Sequence, residues 1–145
     1  MTMPMDYQHA AENFDRFLLA VIENAGLTTR NQAYTMVQAV FQVFRRRLDL
    51  SDAITFANVL PPLQRAVFVA EWDTGQPRLP FADREAMTLE AQNLRRHHNF
   101  APDTCIRDVA LALRRTMNEA ALDRVLATLP DGAAEFWGAH VSPPD

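Results

Sequence analysis

The feature that most constrains this chain is that it repeats itself. A shift of 69 residues carries Val40 onto Val109, Phe44 onto Leu113, Leu48 onto Met117, and Leu60-Pro61 onto Leu129-Pro130. The correspondence runs without a gap from Thr35 to Pro61, and it lays Arg45 and Arg46 on Arg114 and Arg115. "ANVLPPLQRAVF" from Ala57 and "ATLPDGAAEFW" from Ala127 are one device used twice. Each is the end of an apolar helical run, then Leu-Pro, then a short segment ending in a bulky aromatic. Leu closes one apolar face, and Pro opens the next helix, where its missing N–H is not needed. A unit this short with so much apolar surface requires a second unit to cover it, as in other stacked repeats.

The spacing of apolar residues predicts helices. Between Asp6 and Ala25, Phe14, Phe17, Leu18, Val21 and Ile22 share one face. Gly26 stands where a left-handed helix cap belongs. Thr28 or Thr29 caps a longer helix marked by Val37, Val40, Phe41, Phe44 and Leu48, and its two Phe make it central. Arg45–Arg47 close it, where cations meet the negative end of the helix dipole. Asp49 or Ser51 caps a third helix ending at Leu60, and a fourth runs from Pro62 to about Trp72. Asp73–Asp83, with one Gly and two Pro, reads as the linker. Asp83 then caps a helix through Met87, Ala91 and Leu94. Pro102 and Asp103 open the next, Asn118 caps another, and Pro130 opens the last, which holds Phe136 and Trp137. The expected fold is all-α: a helical bundle of about eight helices, built from two similar four-helix halves with pseudo-two-fold symmetry. Residues 1–145 are expected to form a single domain, with the first repeat at about 6–72, the linker at 73–83 and the second repeat at about 84–141.

Composition agrees with a packed, strand-free chain. Hydrophobic residues make up 48% and charged residues 22%, outside the range of a disordered chain. Gly is scarce, and Val, Ile, Thr and Tyr nowhere alternate with polar residues, so strands are not expected. The 14 basic residues, all Arg, are outweighed by 18 acidic ones, and the deficit is shared by both halves. Bulk charge therefore offers no footprint for nucleic acid, and none is expected as a partner. One Cys excludes an internal disulfide. The N-terminal stretch "MTMPMDYQHAAENFDRF" lacks the basic start and apolar run of a signal peptide. No stretch approaches the roughly 18 apolar residues of a membrane span. A cytoplasmic protein is expected, with no membrane contact.

The long helix "AYTMVQAVFQVFRRRL", the short one reaching "ANVLP", and the return of "LP" as "ATLP" near a terminal Trp carry a likeness. In these features the chain resembles the bacterial family known as domain of unknown function 2267, over roughly Asn13 to Trp137. The resemblance implies an all-helical protein of two similar halves. It implies no activity, and no catalytic residues are carried over with it.

Three groups of residues are candidates for chemistry. Glu90, His97 and His98 are the metal candidates: Glu90 and His97 lie seven apart on one helix face, but His98 points about 100° away. The His-Glu-x-x-His spacing that holds a metal on a helix is absent. Both His also fit the plainer role of closing a helix. Cys105 falls in a first helical turn, where a thiol can be acidified. Yet it stands four residues before Val109 and eight before Leu113, with Met36 as its counterpart, so a buried inert thiol is expected. Arg45, Arg46, Arg114 and Arg115 occupy equivalent positions and are candidates for two basic patches facing phosphates or an acidic partner. The plainer reading is solvated helix ends balanced by Asp49, Asp52, Glu119 and Asp123. Trp72 and Trp137 each end a half and are interface candidates alongside those arginines. A Gly-rich phosphate loop, Gly-x-Ser-x-Gly and Cys-x-x-Cys are all absent. The sequence thus reads as a non-enzymatic protein-interaction or regulatory module without a cofactor, acting as a homodimer or on a protein partner. The alternative is a small-molecule or metal-binding protein using the cleft between the halves.

Overall fold

The computed structural model describes residues 3–94 and 101–138. The first half holds α1 (Met5–Gln8), α2 (Ala10–Ala25), α3 (Arg30–Arg45), α4 (Leu50–Val59) and α5 (Pro62–Val69). The second holds α6 (Arg84–Asn93), α7 (Cys105–Thr116), α8 (Glu119–Leu126) and α9 (Ala133–Phe136). Among the described residues these are the only regular elements, and no strand occurs. Nine helices stand where about eight are expected, because the helix from Asp6 to Ala25 is broken at His9, with φ −107° and ψ 16°.

Local chemistry starts and stops most of these helices. Thr29 accepts from the Gln32 N–H while the Gln32 side chain accepts from the Thr29 N–H, a closed capping box. Asp49, Asp83 and Asn118 each accept from the N–H three residues on, at 2.8, 2.8 and 3.0 Å. Gly26 ends α2 in the left-handed region, at φ 69°.

Two boundaries differ from expectation. α5 stops at Val69 rather than near Trp72, where the backbone turns through Glu71 at φ 52°. α7 begins after Thr104 rather than Asp103, whose carboxylate instead accepts from Gln92 at 2.9 Å. The second Leu-Pro also leads less directly into helix than the first. Gly132 intervenes at φ 101°, and a Cβ there would stand 2.6 Å from the Phe81 ring, so only glycine fits.

Packing runs across the halves. α2 lies chiefly on α7 and α4 on α8, while α3 packs on both α2 and α6 and also touches α5 and α7. One apolar cluster draws on both halves. Its centre is aromatic: Trp137 stands 5.4 Å from Phe44, 5.6 Å from Phe56 and 5.8 Å from Phe41, ring to ring. Phe136 lies 5.0 Å from Phe44, and Phe68 lies 5.1 Å from Phe56. Such pairs add to the burial of large rings. No helix among the described residues is long and apolar enough to cross a membrane.

Candidate functional site

Glu90 is already engaged. Its Oε2 lies 2.6 Å from Nη1 of Arg47, a side chain only 5% exposed. The same Nη1 donates to the Val43 carbonyl at 2.8 Å. Glu90 thus neutralises a cation that would otherwise stand buried and unpaired. His97 and His98, its proposed companions, lie outside the described residues. Among the described residues, no group of three His, Cys, Asp or Glu side chains stands close enough to hold a metal ion.

Cys105 is fully buried, and that burial pushes its thiol up to about 11. Its place in the first turn of α7 would favour the thiolate, but desolvation prevails. At neutral pH it is a protonated core side chain and a poor nucleophile.

Arg45 and Arg114 are structural ties rather than solvated helix ends. Arg45 is 7% exposed, and its Nη1 donates to the carbonyls of Phe68 and Ala70, both at 2.9 Å. Its guanidinium lies 5.4 Å from the Trp72 ring centre. Burial lowers its pKa, with Glu71 opposing. Arg114 donates through Nε to the Trp137 carbonyl at 2.8 Å, and it reaches Glu119 and Asp123 at 3.0 and 2.9 Å. Burial works against its charge, but the hydrogen bonds to Asp123 and Glu119 outweigh burial and raise its pKa. Arg115 makes an exposed ion pair with Glu23 at 3.5 Å. Trp137 is fully buried and presents no surface, whereas Trp72 is half-buried.

Three of the singled-out residues do meet. Arg45, Arg46 and Trp72 line one cleft of about 240 Å³, together with Leu50, Asp49 and Arg78. Leu50 and Ile54 stand one helical turn apart on α4, each 52% exposed. Ala53, Phe56 and Ala57, on the adjoining side of the same helix, are buried.

The family described as an uncharacterized conserved protein, DUF2267, matches residues 14–136. The chain belongs to the DUF2267 family. A search of curated proteins finds no match to it. The DUF2267 description carries no activity, so function has to be argued from the chemistry of the surfaces.

Leu50 and Arg78 are not marked by the sequence of this DUF2267 chain, and Ile54 reads from it only as part of the apolar run of the third helix. A signal was present for Leu50 and Ile54: an apolar pair four apart on the face of α4 away from Phe56. Two helical stripes on a ten-residue helix read as one broad core face until a partner helix shows which is covered. Arg78 sits in the linker, where sequence spacing says nothing of direction.

Proposed function

We propose that this DUF2267 protein is a non-enzymatic interaction module that pairs with a second copy of itself through the outer face of α4 and the adjoining Trp72 cleft. One observation carries the reading. Leu50 and Ile54 are apolar and half exposed, while the residues 69 positions on, Glu119 and Asp123, are charged and hold Arg114. The same two positions serve an ion pair in one half and an uncovered apolar step in the other. Single exposed apolar residues are ordinary, but a stacked pair beside an aromatic cleft is the pattern of a contact surface.

The charges around it favour a second copy. Arg46 and Arg78 share the cleft with Asp49 and Asp73. A face bearing both signs around an apolar centre can meet itself across a two-fold axis, cation to carboxylate. The chemistry of Cys105 and Glu90 supports the non-enzymatic part, since the first is buried and the second is paired with Arg47.

The repeat is part of the same proposal. Arg45 reaches the Phe68 carbonyl and Arg114 the Trp137 carbonyl, each 23 residues ahead. Asp49 and Asn118, again 69 apart, cap α4 and α8. The reciprocal pairs α2 on α7 and α6 on α3 are those that exchange of two like halves requires.

Native mass spectrometry of the untagged chain tests the pairing, with Leu50→Asp/Ile54→Asp as the variant. Both side chains are exposed, so the variant is expected to melt where the parent does. A dimer that becomes monomeric in the variant is the expected result. A parent chain that stays monomeric, or a variant that still pairs, overturns the proposal.

A further inference from the structure

We propose that the chain binds a small organic oxyanion, a carboxylate or phosphate ester with an apolar body, in a cleft between its two halves. The cleft encloses about 340 Å³ where the α1–α2 break, the α4–α5 turn and the α7–α8 turn meet. That is near the lower end for small-molecule sites, which run from about 300 to 1,000 Å³.

The C-terminal ends of α1, α4 and α7 reach this corner, and side chains of the chain itself engage carbonyls at the last two. Arg65 donates through Nε to the Ala57 carbonyl at 2.9 Å and through Nη2 to that of Leu60 at 3.0 Å, with Asn58 at 3.4 Å. Asn13 donates to the Thr116 carbonyl at the end of α7, at 2.7 Å. Four carbonyls that would repel an anion are thereby engaged.

What remains facing the cleft is positive. Arg65 lines the cleft, and its Nη1 makes no hydrogen bond among the described residues. Arg16 also lines the cleft, is exposed, and has neither an ion pair nor a hydrogen bond among the described residues. Asp6 supplies the opposing carboxylate, and His9 is turned toward Glu12 at 3.5 Å. Two guanidinium groups thus face one carboxylate. The N-terminal ends of α2 and α5 open here at His9 and Pro61, neither with a side-chain cap, and add a further positive contribution. Val59, Pro62 and Met117 supply an apolar wall for the rest of the ligand.

A comparison inside the chain marks this corner as specialised. The third residue after the first Leu-Pro proline is Gln64, and after the second it is Ala133; both are fully buried. Gln64 spends its amide N–H on Asn13 Oδ1 at 2.8 Å, and its own Oε1 is buried without a partner. The first half therefore carries a polar wall behind the cleft at a cost in stability, where the second half uses a methyl group. Such unrepaid polar groups collect at sites selected for something other than stability.

The test is amide NMR of the full chain titrated with phenyl phosphate and with benzoate, with benzyl alcohol as the uncharged probe, and of Arg16→Glu. Arg16 is exposed and unpaired, so the variant keeps the fold. Expected are saturable shifts confined to the amides around Val59 and Met117 with at least one anion. Arg16→Glu should weaken that binding about tenfold, as loss of a charge-assisted hydrogen bond does. Which of the two anions saturates first tells phosphate from carboxylate, and either upholds the proposal. Absence of saturation with both anions, shifts that Arg16→Glu leaves unchanged, or equal shifts with benzyl alcohol would overturn it.

Discussion

Cys105 stands at the first position of α7, yet it behaves as a core residue because its surroundings outweigh its address. The helix end lowers a thiol's pKa by a fraction of what complete burial raises it. The result, about 11 against 9.0 for a free thiol, has a consequence for stability. Below pH 9 both folded and unfolded chains hold the proton, and the group adds no pH dependence. As pH rises from 9 through 11, the unfolded chain loses its proton first, and the native state is undercut by up to about 3 kcal/mol at about 1.4 kcal/mol per unit. Urea unfolding at pH 8 and pH 10.5 is expected to reveal this loss in the parent chain and not in Cys105→Ala. Equal losses in both would assign the titration to another group. Gly132 is a second residue whose identity is dictated by a neighbour, since Phe81 occupies the space a Cβ would take.

Between elements, the arginines at the ends of α3 and α7 do the joining. Arg47 links α3 to α6 through Glu90, and Arg45 and Arg114 hold the carbonyls of Phe68 and Trp137. Removing one member of a buried pair strands the other, whereas replacing both with apolar residues need not destabilise. Glu90→Gln is therefore expected to cost about 2–3 kcal/mol in urea unfolding, discounted from the fully buried range because Glu90 is partly exposed. Arg47→Met/Glu90→Leu should recover most of that loss. Added chelator should change neither result, because the carboxylate is engaged by a guanidinium. A chelator-sensitive parent with an insensitive Glu90→Gln would restore Glu90 as a metal ligand.

Over the whole molecule, neither half has a complete interior. Phe41, Phe44, Phe56 and Phe68 come from the first, and Phe136 and Trp137 from the second, yet they form one aromatic centre. A fragment ending at residue 80 should lack a cooperative melt, and mixing it with the remainder should restore one. Independent sharp unfolding of the first fragment would show that the centre is not shared. In the full chain, Trp137→Ala should cost about 3–5 kcal/mol, the usual range for a large buried aromatic.

Helix class, most caps and the central place of α3 followed from the order of residues alone, because they rest on local physics. Thr29, Asp49, Asp83 and Asn118 bond within three residues of themselves, and a 3.6-residue period declares its own apolar face. The fate of each polar group was not legible in that order. Whether Arg45 meets water or the Phe68 carbonyl, whether Glu90 faces a metal or Arg47, and whether Trp137 is an anchor or a core ring depend on partners distant in sequence. The cleft holding Arg16, Arg65 and Asn13 depends on chain segments 51 and 103 residues apart. Periodicity fixes which side of a helix is apolar. Only the packed neighbours decide which polar side chains are spent and which remain free to bind.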